Sequence, residues 1–458
     1  MLDTIFAPIT SINQSGVCVI RISGDKTLDC LEKLGVNTSK ISHQKIIFNK
    51  ILDLKNNEVI DECLISYFKA PNSFTGQDIA EISIHASTYI FQKISEILSK
   101  IEDVRMAQAG EFSKRAFLNN KMSLIEAEAI PDLIASETEL QHKQALRQLS
   151  GKIGKIYDDL RQKIIEILAL IEAVIDFPDE DLPENIIKDI KQNLANIKKI
   201  INEILANHIA QKIKTGINLA IIGEPNVGKS TLLNFLAKSE IAIVSDVAGT
   251  TRDIIETHLN IAGAVVKIAD TAGIRTTQDK IEEQGVIRAI KKSKDCDIKI
   301  LMLDAKKLEI SDKIANLIDK NTLVLINKID EINHLVQQKI DQKISDLIKN
   351  KANITFDSQN LLKISLKNQQ NLDLLISLLE QEVKKQIPNN NSAIITQERH
   401  RSHLKSALAH LEEFSFSKPI ELAAEDLRLA SQEIGKITGK IGVENILDVI
   451  FGSFCIGK

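Results

Sequence analysis

The sequence predicts a multidomain chain that joins α/β units to an all-α part. Three observations carry this. Short apolar runs broken by turns fill residues 1–120 and return over 217–383. Elsewhere, apolar residues recur every three or four positions, the stripe of amphipathic helices. At 458 residues the chain has room for about three domains.

Composition narrows the function classes. Lys and Arg total 58 against 62 Asp and Glu, a formal charge of −4, so this is neither a nucleic-acid coat nor a basic membrane-surface protein. Aromatic residues make up 4% and Trp is absent, which argues against a base-stacking surface. The five cysteines are Cys18, Cys30, Cys63, Cys296 and Cys455. Their odd number and the lack of C-x-x-C spacing argue against a zinc cluster or a secreted disulfide framework. The start, Met1-Leu2-Asp3-Thr4, has no basic n-region, and no uncharged apolar run reaches the roughly 18 residues of a membrane span. The expectation is a soluble, cytoplasmic protein with no membrane partner. No internal repeat is present.

In the first part, strand-like runs cover 17–22, 62–68 and 79–84. The last alternates with period two, which predicts Glu81 and Ser83 on one face and the isoleucines on the other. This part reads as a small α/β domain. Over 123–212 the pattern turns helical. Ile153, Ile156, Leu160, Ile164, Ile167, Ile171 and Val174 mark one long helix. Asp176-Phe177-Pro178 stops it, because proline lacks an N–H and clashes with the preceding turn. A second helical run extends to about Lys212.

Over 217–383 the apolar runs 217–222, 265–269, 298–303, 322–326 and 361–365 alternate with helical stretches, as buried parallel strands do. Ile387-Pro388-Asn389-Asn390-Asn391-Ser392 is a turn-rich exit. Beyond 396, Ile420, Ala424, Leu427, Ala430, Ile434 and Ile437 form another helical stripe. Each flanking stripe must bury its apolar side. Packing the two against each other leaves the second α/β unit as an insertion.

That unit carries a phosphate-binding pattern. Gly223-Glu224-Pro225-Asn226-Val227-Gly228-Lys229-Ser230 matches G-x-x-x-x-G-K-[ST], follows a strand and precedes the helical run beginning at Thr231. The glycines let backbone N–H groups curl around phosphates, and the helix N-terminus adds its dipole. Lys229 is placed to reach the β- and γ-phosphates, and the Ser230 hydroxyl to bind Mg²⁺.

Two further motifs choose the nucleotide. Asp270-Thr271-Ala272-Gly273 closes the strand 265–269, where an Asp can hold Mg²⁺ through water and a Gly can sense the γ-phosphate. Asn327-Lys328-Ile329-Asp330 closes the strand 322–326. Asp330 can accept from both the N1–H and the exocyclic amine of guanine, a donor pair that adenine lacks. A degraded Ser-Ala-Lys pattern follows in Ser365-Leu366-Lys367. In this order the motifs favour GTP over ATP.

Ile274 follows Asp-Thr-Ala-Gly, where Ras has a water-orienting Gln. Hydrolysis therefore needs a carboxylate from elsewhere, with Asp279, Glu282 and Glu283 nearby. Asn226 and the segment 245–251 offer oxygens that could hold a monovalent cation in place of an arginine.

Other stretches carry a family resemblance. They are Pro71-Asn72-Ser73-Phe74-Thr75-Gly76; Gly110-Glu111-Phe112-Ser113-Lys114-Arg115-Ala116-Phe117-Leu118-Asn119; Glu126-Ala127-Glu128-Ala129; and Ile175-Asp176-Phe177-Pro178. To these add Gly249-Thr250-Thr251-Arg252-Asp253, Glu421-Leu422-Ala423-Ala424-Glu425 and Phe454-Cys455-Ile456-Gly457-Lys458. Together, and in this order, the chain resembles the MnmE (TrmE) family of bacterial tRNA modification GTPases over essentially its whole length.

The resemblance implies an N-terminal folate-binding and dimerisation domain over 1–120 and a helical domain in two segments, 121–213 and 386–458. A Ras-like P-loop G domain is inserted between them over 214–385. It implies a homodimer working with an FAD-dependent partner, MnmG (GidA). The pair would install aminomethyl or carboxymethylaminomethyl groups at C5 of wobble uridines in tRNA. The carbon would come from 5-formyl- or methylene-tetrahydrofolate.

Family positions map here onto Asn226, Val227, Gly228, Lys229, Ser230 and Thr231, then Ser245, Asp246, Val247, Ala248, Gly249, Thr250 and Thr251 for GTP. The remaining nucleotide positions are Asp270, Thr271, Ala272, Gly273, Asn327, Lys328 and Asp330. Ser230 and Thr251 match the Mg²⁺ ligands, and Asn226, Ser245, Val247 and Thr250 the K⁺ ligands. Glu282 matches the catalytic Glu, which orients water when two G domains meet across K⁺. Arg21, Glu81, Lys121 and Lys458 match the folate pocket. A carboxylate such as Glu81 suits pterin N–H groups, and cations such as Arg21, Lys121 or Lys458 suit the glutamate tail. The chain departs from the family at His85-Ala86-Ser87, where His-Gly-Gly is usual, and at Ser245, where Thr is commoner.

Two other functions compete with this one. A ribosomal-RNA assembly GTPase should carry a basic RNA-binding module, and the mixed-charge helical C-terminus offers none. A folate-binding protein whose GTPase only sets its oligomeric state differs in chemistry alone.

Overall fold

The structure is a computed structural model. It describes residues 3–12, 15–176, 184–239, 241–243, 257–269, 296–352, 354, 358–388, 394–442, 444–452, 454–455 and 457. The chain divides into two compact units. One comprises Met1–Ile134, Leu146–Lys199 and Ser402–Lys458; the other comprises Ala135–Ala145 and Ile200–Arg401.

The first unit holds a six-stranded sheet built from β1 (Thr4–Pro8), β2 (Val17–Ser23), β3 (Ile46–Asp53), β4 (Glu58–Phe68), β5 (Ile79–His85) and β6 (Val104–Met106). Its order is β3-β4-β5-β2-β1-β6, antiparallel except where β1 meets β6. Helices Thr27–Lys33 and Thr88–Leu98 cover one face, placing Leu31, Ile94 and Leu98 in one core with Ile20, Ile22, Ile82 and Ile84. The predicted split of β5 applies to Ile82 and Ile84 only. Successive strand residues point to opposite faces, so parity puts Ile79 on the side of Glu81 and Ser83.

The two predicted helical stripes do pack together. Helix Lys152–Asp176 buries Ile153, Tyr157, Leu160, Ile164, Ile167 and Ile171 against helix Ile420–Thr438. That partner buries Ala423, Ala424, Leu427, Ala430, Ile434 and Ile437. Its alanines shorten one side of the contact, which lets the long isoleucines of the first helix fit. Ile156 and Val174 are only half-buried, and Tyr157 takes the inward position between them.

The second unit holds β7 (Ile217–Gly223), β8 (Thr257–Ile261), β9 (Ala264–Ala269), β10 (Ile298–Asp304), β11 (Leu323–Asn327) and β12 (Leu361–Lys363). The order is β12-β11-β10-β7-β9-β8. Both faces are covered. Leu219, Ile221, Ile300, Met302, Leu323 and Leu325 pack with Leu232, Leu236, Leu375 and Leu379 on one side. Ile222, Leu301, Leu303, Val324 and Ile326 pack with Ile340, Ile344 and Ile348 on the other. Double burial is why these strands read as unbroken apolar runs.

Two expectations need correction here. The all-parallel reading missed β8, which runs antiparallel to β9 at the sheet edge. Its sequence, with Thr257, His258 and Asn260 among apolar residues, suits a strand with one open side. The single helical run after residue 178 is two helices, Glu184–Ala206 and Ile209–Thr215. Asn207 separates them, its Oδ1 accepting from the Ile209 N–H at 2.9 Å, as Asn side chains do at helix starts.

Candidate functional site

Strand β7 lies between β10 and β9; in chain order β7 is followed by β8 at one edge, while β9 is followed by β10 on the other side of β7. Such a switch point opens a crevice at the carboxyl ends of the strands. The glycine-rich turn 223–228 sits there and runs straight into helix Lys229–Lys238. Gly228 begins that helix at φ 107°, and a Cβ on it would overlap the Asn327 side-chain amide. Only glycine meets both demands. Asn226 is exposed and adopts φ 63°, a left-handed conformation that Asn tolerates better than most residues.

Lys229 Nζ donates to the carbonyls of Gly223 at 2.9 Å and Glu224 at 2.8 Å, which holds its ammonium inside the turn. Ser230 and Thr231 lie exposed on the first helical turn. An exposed hydroxyl and a side-chain amide at this turn are hard oxygen donors, the chemistry that Mg²⁺ and K⁺ require.

The guanine-type motif closes β11 and is tied to the turn. Buried Asn327 donates from Nδ2 to the Val227 carbonyl at 2.9 Å and accepts from the Leu366 N–H at 3.2 Å. Lys328 Nζ donates to the Asn226 carbonyl at 2.8 Å and pairs with Asp304 at 2.7 Å. Buried Ser365 donates to Asp330 Oδ1 at 2.6 Å and accepts from the Asn368 N–H at 3.1 Å. Asp330 Oδ2 takes no hydrogen bond from the described residues, which leaves it free for a ligand donor.

One of these residues escapes sequence reasoning. Ser365 opens the degraded Ser-Ala-Lys pattern, whereas no motif singles out Asp304. Asp304 is the last residue of β10 and pairs in register with Asn327. A polar residue ending an apolar parallel strand is the available signal. Burial works against ionising Asp304, but the Lys328 ammonium and the Lys306 N–H outweigh it and hold the carboxyl below the usual carboxylate range. Residues 245–251, 270–273 and Glu282 lie outside the described residues, so of the predicted metal ligands only Asn226 and Ser230 are placed.

In the first unit, Arg21 on β2 and Glu81 on β5 are register partners. Arg21 Nε and Nη2 both donate to Glu81 Oε1, at 2.9 and 2.8 Å, and Oε2 takes no hydrogen bond from the described residues. The guanidinium also lies 5.1 Å from the Phe74 ring centre and 5.6 Å from that of Phe112, within cation–π range. Both rings come from motifs that the sequence singled out. Lys121 is exposed, with its stem near Gly76. Lys458 lies outside the described residues.

The Gly110-Glu111 motif is structural. Burial alone would raise the pKa of Glu111, but Arg105, the Gln108 N–H and Arg115 bring it down to about 2. Arg105 binds both Glu111 oxygens, at 2.7 and 2.9 Å, and Arg115 reaches Oε1 at 2.9 Å. Gly110 has φ 66°, and a Cβ there would overlap the Phe451 carbonyl. The motif therefore docks the C-terminal Phe451 and Phe454, which pack with Leu124 and Leu447.

Comparison with known proteins agrees with this arrangement. A family model for the TrmE N-terminus, described as a GTP-binding protein, matches residues 4–121, and one for the MnmE helical domain matches residues 124–455. The chain is 45% identical over 464 residues to the tRNA modification GTPase MnmE of Rickettsia bellii, covering all of both chains. It is 44% identical over 464 residues to that of Rickettsia prowazekii, again covering all of both. Among solved structures, Era of Aquifex aeolicus is 28% identical, covering 42% of this chain and 66% of that one, at a TM-score of 0.27. Among the described residues, no helix is long and apolar enough to cross a membrane. The chain belongs to the MnmE (TrmE) family of tRNA modification GTPases.

Proposed function

We propose that this chain binds and hydrolyses GTP as one subunit of a complex that modifies C5 of wobble uridines in tRNA. The observation that carries the reading is the joining of two loops. Asn327 of the base-recognition motif hydrogen-bonds the Val227 carbonyl of the phosphate turn. One end of the crevice then suits phosphates and the other suits a base. Asp330, oriented by Ser365, presents a free oxygen to guanine donors.

Lys229 gives up its two carbonyl partners for the β- and γ-phosphates. The N–H groups at the start of helix Lys229–Lys238 complete the anion cradle. Ser230 and Thr251 would hold Mg²⁺, and Asn226, Ser245, Val247 and Thr250 would hold K⁺. When bound, these ions supply positive charge against the phosphate oxygens. Asp270, Thr271, Ala272 and Gly273 would serve the γ-phosphate and its Mg²⁺. Glu282 orients the water whose oxygen bonds to the γ-phosphorus as the bond to the β–γ bridging oxygen breaks. Ile274 cannot do this.

The first unit would take a reduced folate, as 5-formyl- or methylene-tetrahydrofolate. Arg21 fixes Glu81 so that Oε2 meets pterin N–H groups, and Lys121 and Lys458 attract the anionic tail. The working assembly is a homodimer with the FAD-dependent partner MnmG. Its G domains meet across K⁺, and it acts in the cytoplasm. With a net charge of −4, this chain alone should hold tRNA weakly and in a salt-sensitive way. Nucleoside analysis of tRNA from cells lacking the protein tests the reading. Wobble uridines should lose their C5 substituent; unchanged uridines would contradict it.

A further inference from the structure

We propose that Asp304 is a positioning residue of the nucleotide site, acting through Lys328 on the phosphate turn. The inference rests on the guanine-nucleotide reading above. It adds a residue that neither the phosphate motif nor the base motif contains.

The chain of contacts is short. Asp304 Oδ2 holds Lys328 Nζ at 2.7 Å, and the same Nζ donates to the Asn226 carbonyl at 2.8 Å. Asp304 is itself fixed, because Oδ1 accepts from the Lys306 N–H at 2.9 Å. Its side chain is 16% exposed and that of Lys328 is 31% exposed, so solvent screens the pair only in part.

Both ends of this link need holding. Lys328 has φ 65° and Asn226 has φ 63°. A left-handed conformation is unfavourable for a residue with a Cβ and persists where its surroundings impose it. The Asp304 carboxylate supplies a fixed negative charge at the end of β10, midway between the strand that leads into the phosphate turn and the strand that leads into the base motif. With Asp304 neutral or absent, Lys328 would keep its charge but lose its anchor. The ammonium would turn to water, and the Asn226 carbonyl would lose its donor. Nucleotide would then have to order both loops on binding, which lowers its affinity.

The test is a double-mutant cycle read by the dissociation constant of a fluorescent GDP on the full chain, with Asp304→Ala, Lys328→Met and the double variant. Lys328→Met keeps the aliphatic stem and removes only the ammonium. Asp304→Ala should weaken GDP binding about tenfold, or about 1.4 kcal/mol. In the Lys328→Met background the same change should cost less than about twofold, because the link is already broken. Asp304→Asn keeps the shape and one acceptor, and should recover part of the loss.

A full tenfold effect of Asp304→Ala in the Lys328→Met background would overturn the proposal, since Asp304 would then act by another route. So would unchanged affinity in the single variant. If the alanine variant does not fold, Asp304→Asn is measured in the same two backgrounds, and the same pair of outcomes supports or overturns the link. Failure of the wild-type chain to bind GDP would remove the guanine-nucleotide reading itself, a result distinct from both.

Discussion

Asn327 and Val227 lie 100 positions apart in sequence, and the Asn327 side chain donates to the Val227 carbonyl at 2.9 Å. This bond joins the base-recognition motif to the phosphate turn. Gly228 is part of the same contact, because any side chain there would strike the Asn327 amide. Two motifs read separately in the sequence thus form one pre-organised crevice.

Asp330 is expected to set base choice. Its carboxylate would accept from guanine, whereas an amide in its place would present a donor to the N1 and amine groups. Asp330→Asn should weaken GTP binding by about 10³-fold or more and favour xanthosine triphosphate, which carries a carbonyl where guanine carries the amine. Competition between the two nucleotides in the variant measures this.

Glu282 is expected to act on rate and not on affinity. Glu282→Ala should slow hydrolysis by about 10²-fold or more, the scale of losing a group that positions a reacting water. GDP affinity should stay nearly constant, because in the proposed role the residue would hold water and not nucleotide. Single-turnover hydrolysis and equilibrium binding, run side by side, separate the two.

Glu111 gives a pH signature. With its carboxyl held at about 2 in the folded chain against an ordinary value of 4.5, it stabilises the first unit fully above about pH 4.5. That contribution is lost as pH falls toward 2, because the unfolded chain takes up the proton first. Glu111→Gln should destabilise the unit by about 3 kcal/mol near neutral pH, since two guanidinium groups lose their counter-charge. The gap between variant and wild type should narrow below pH 4.5. Thermal unfolding at pH 7 and pH 3.5 compares the two.

Much of the fold is legible in the sequence, for physical reasons. The doubly covered strands β7, β10 and β11 bury apolar residues on both sides, so they stand out as apolar runs. The two helical stripes each need an apolar face to bury against, and they pack together. Strand β8 is hidden because an edge strand need not be apolar throughout. Tyr157 is hidden because a stripe counted in isoleucines and leucines passes over an aromatic residue.

The site follows the same logic. Backbone-dictated positions such as Gly228 and Asn327 carry a fixed spacing, so the motif reveals them. Asp304 acts across the sheet on Lys328, which follows another strand, and no spacing along the chain encodes such a neighbour. The pairing of Arg21 with Glu81 is likewise not readable, because it depends on the register of β2 against β5. Sequence reasoning names Arg21 among the cations suited to a ligand tail; in the structure its guanidinium bonds the Glu81 carboxylate.

The central claim is a guanine-selective hydrolase whose paired G domains close around potassium. Its most direct test is phosphate release by the purified chain from GTP and from ATP, each in K⁺ and in Na⁺. GTP in K⁺ should turn over well above the other three conditions. Equal rates with ATP, or equal rates in the two salts, would contradict the account.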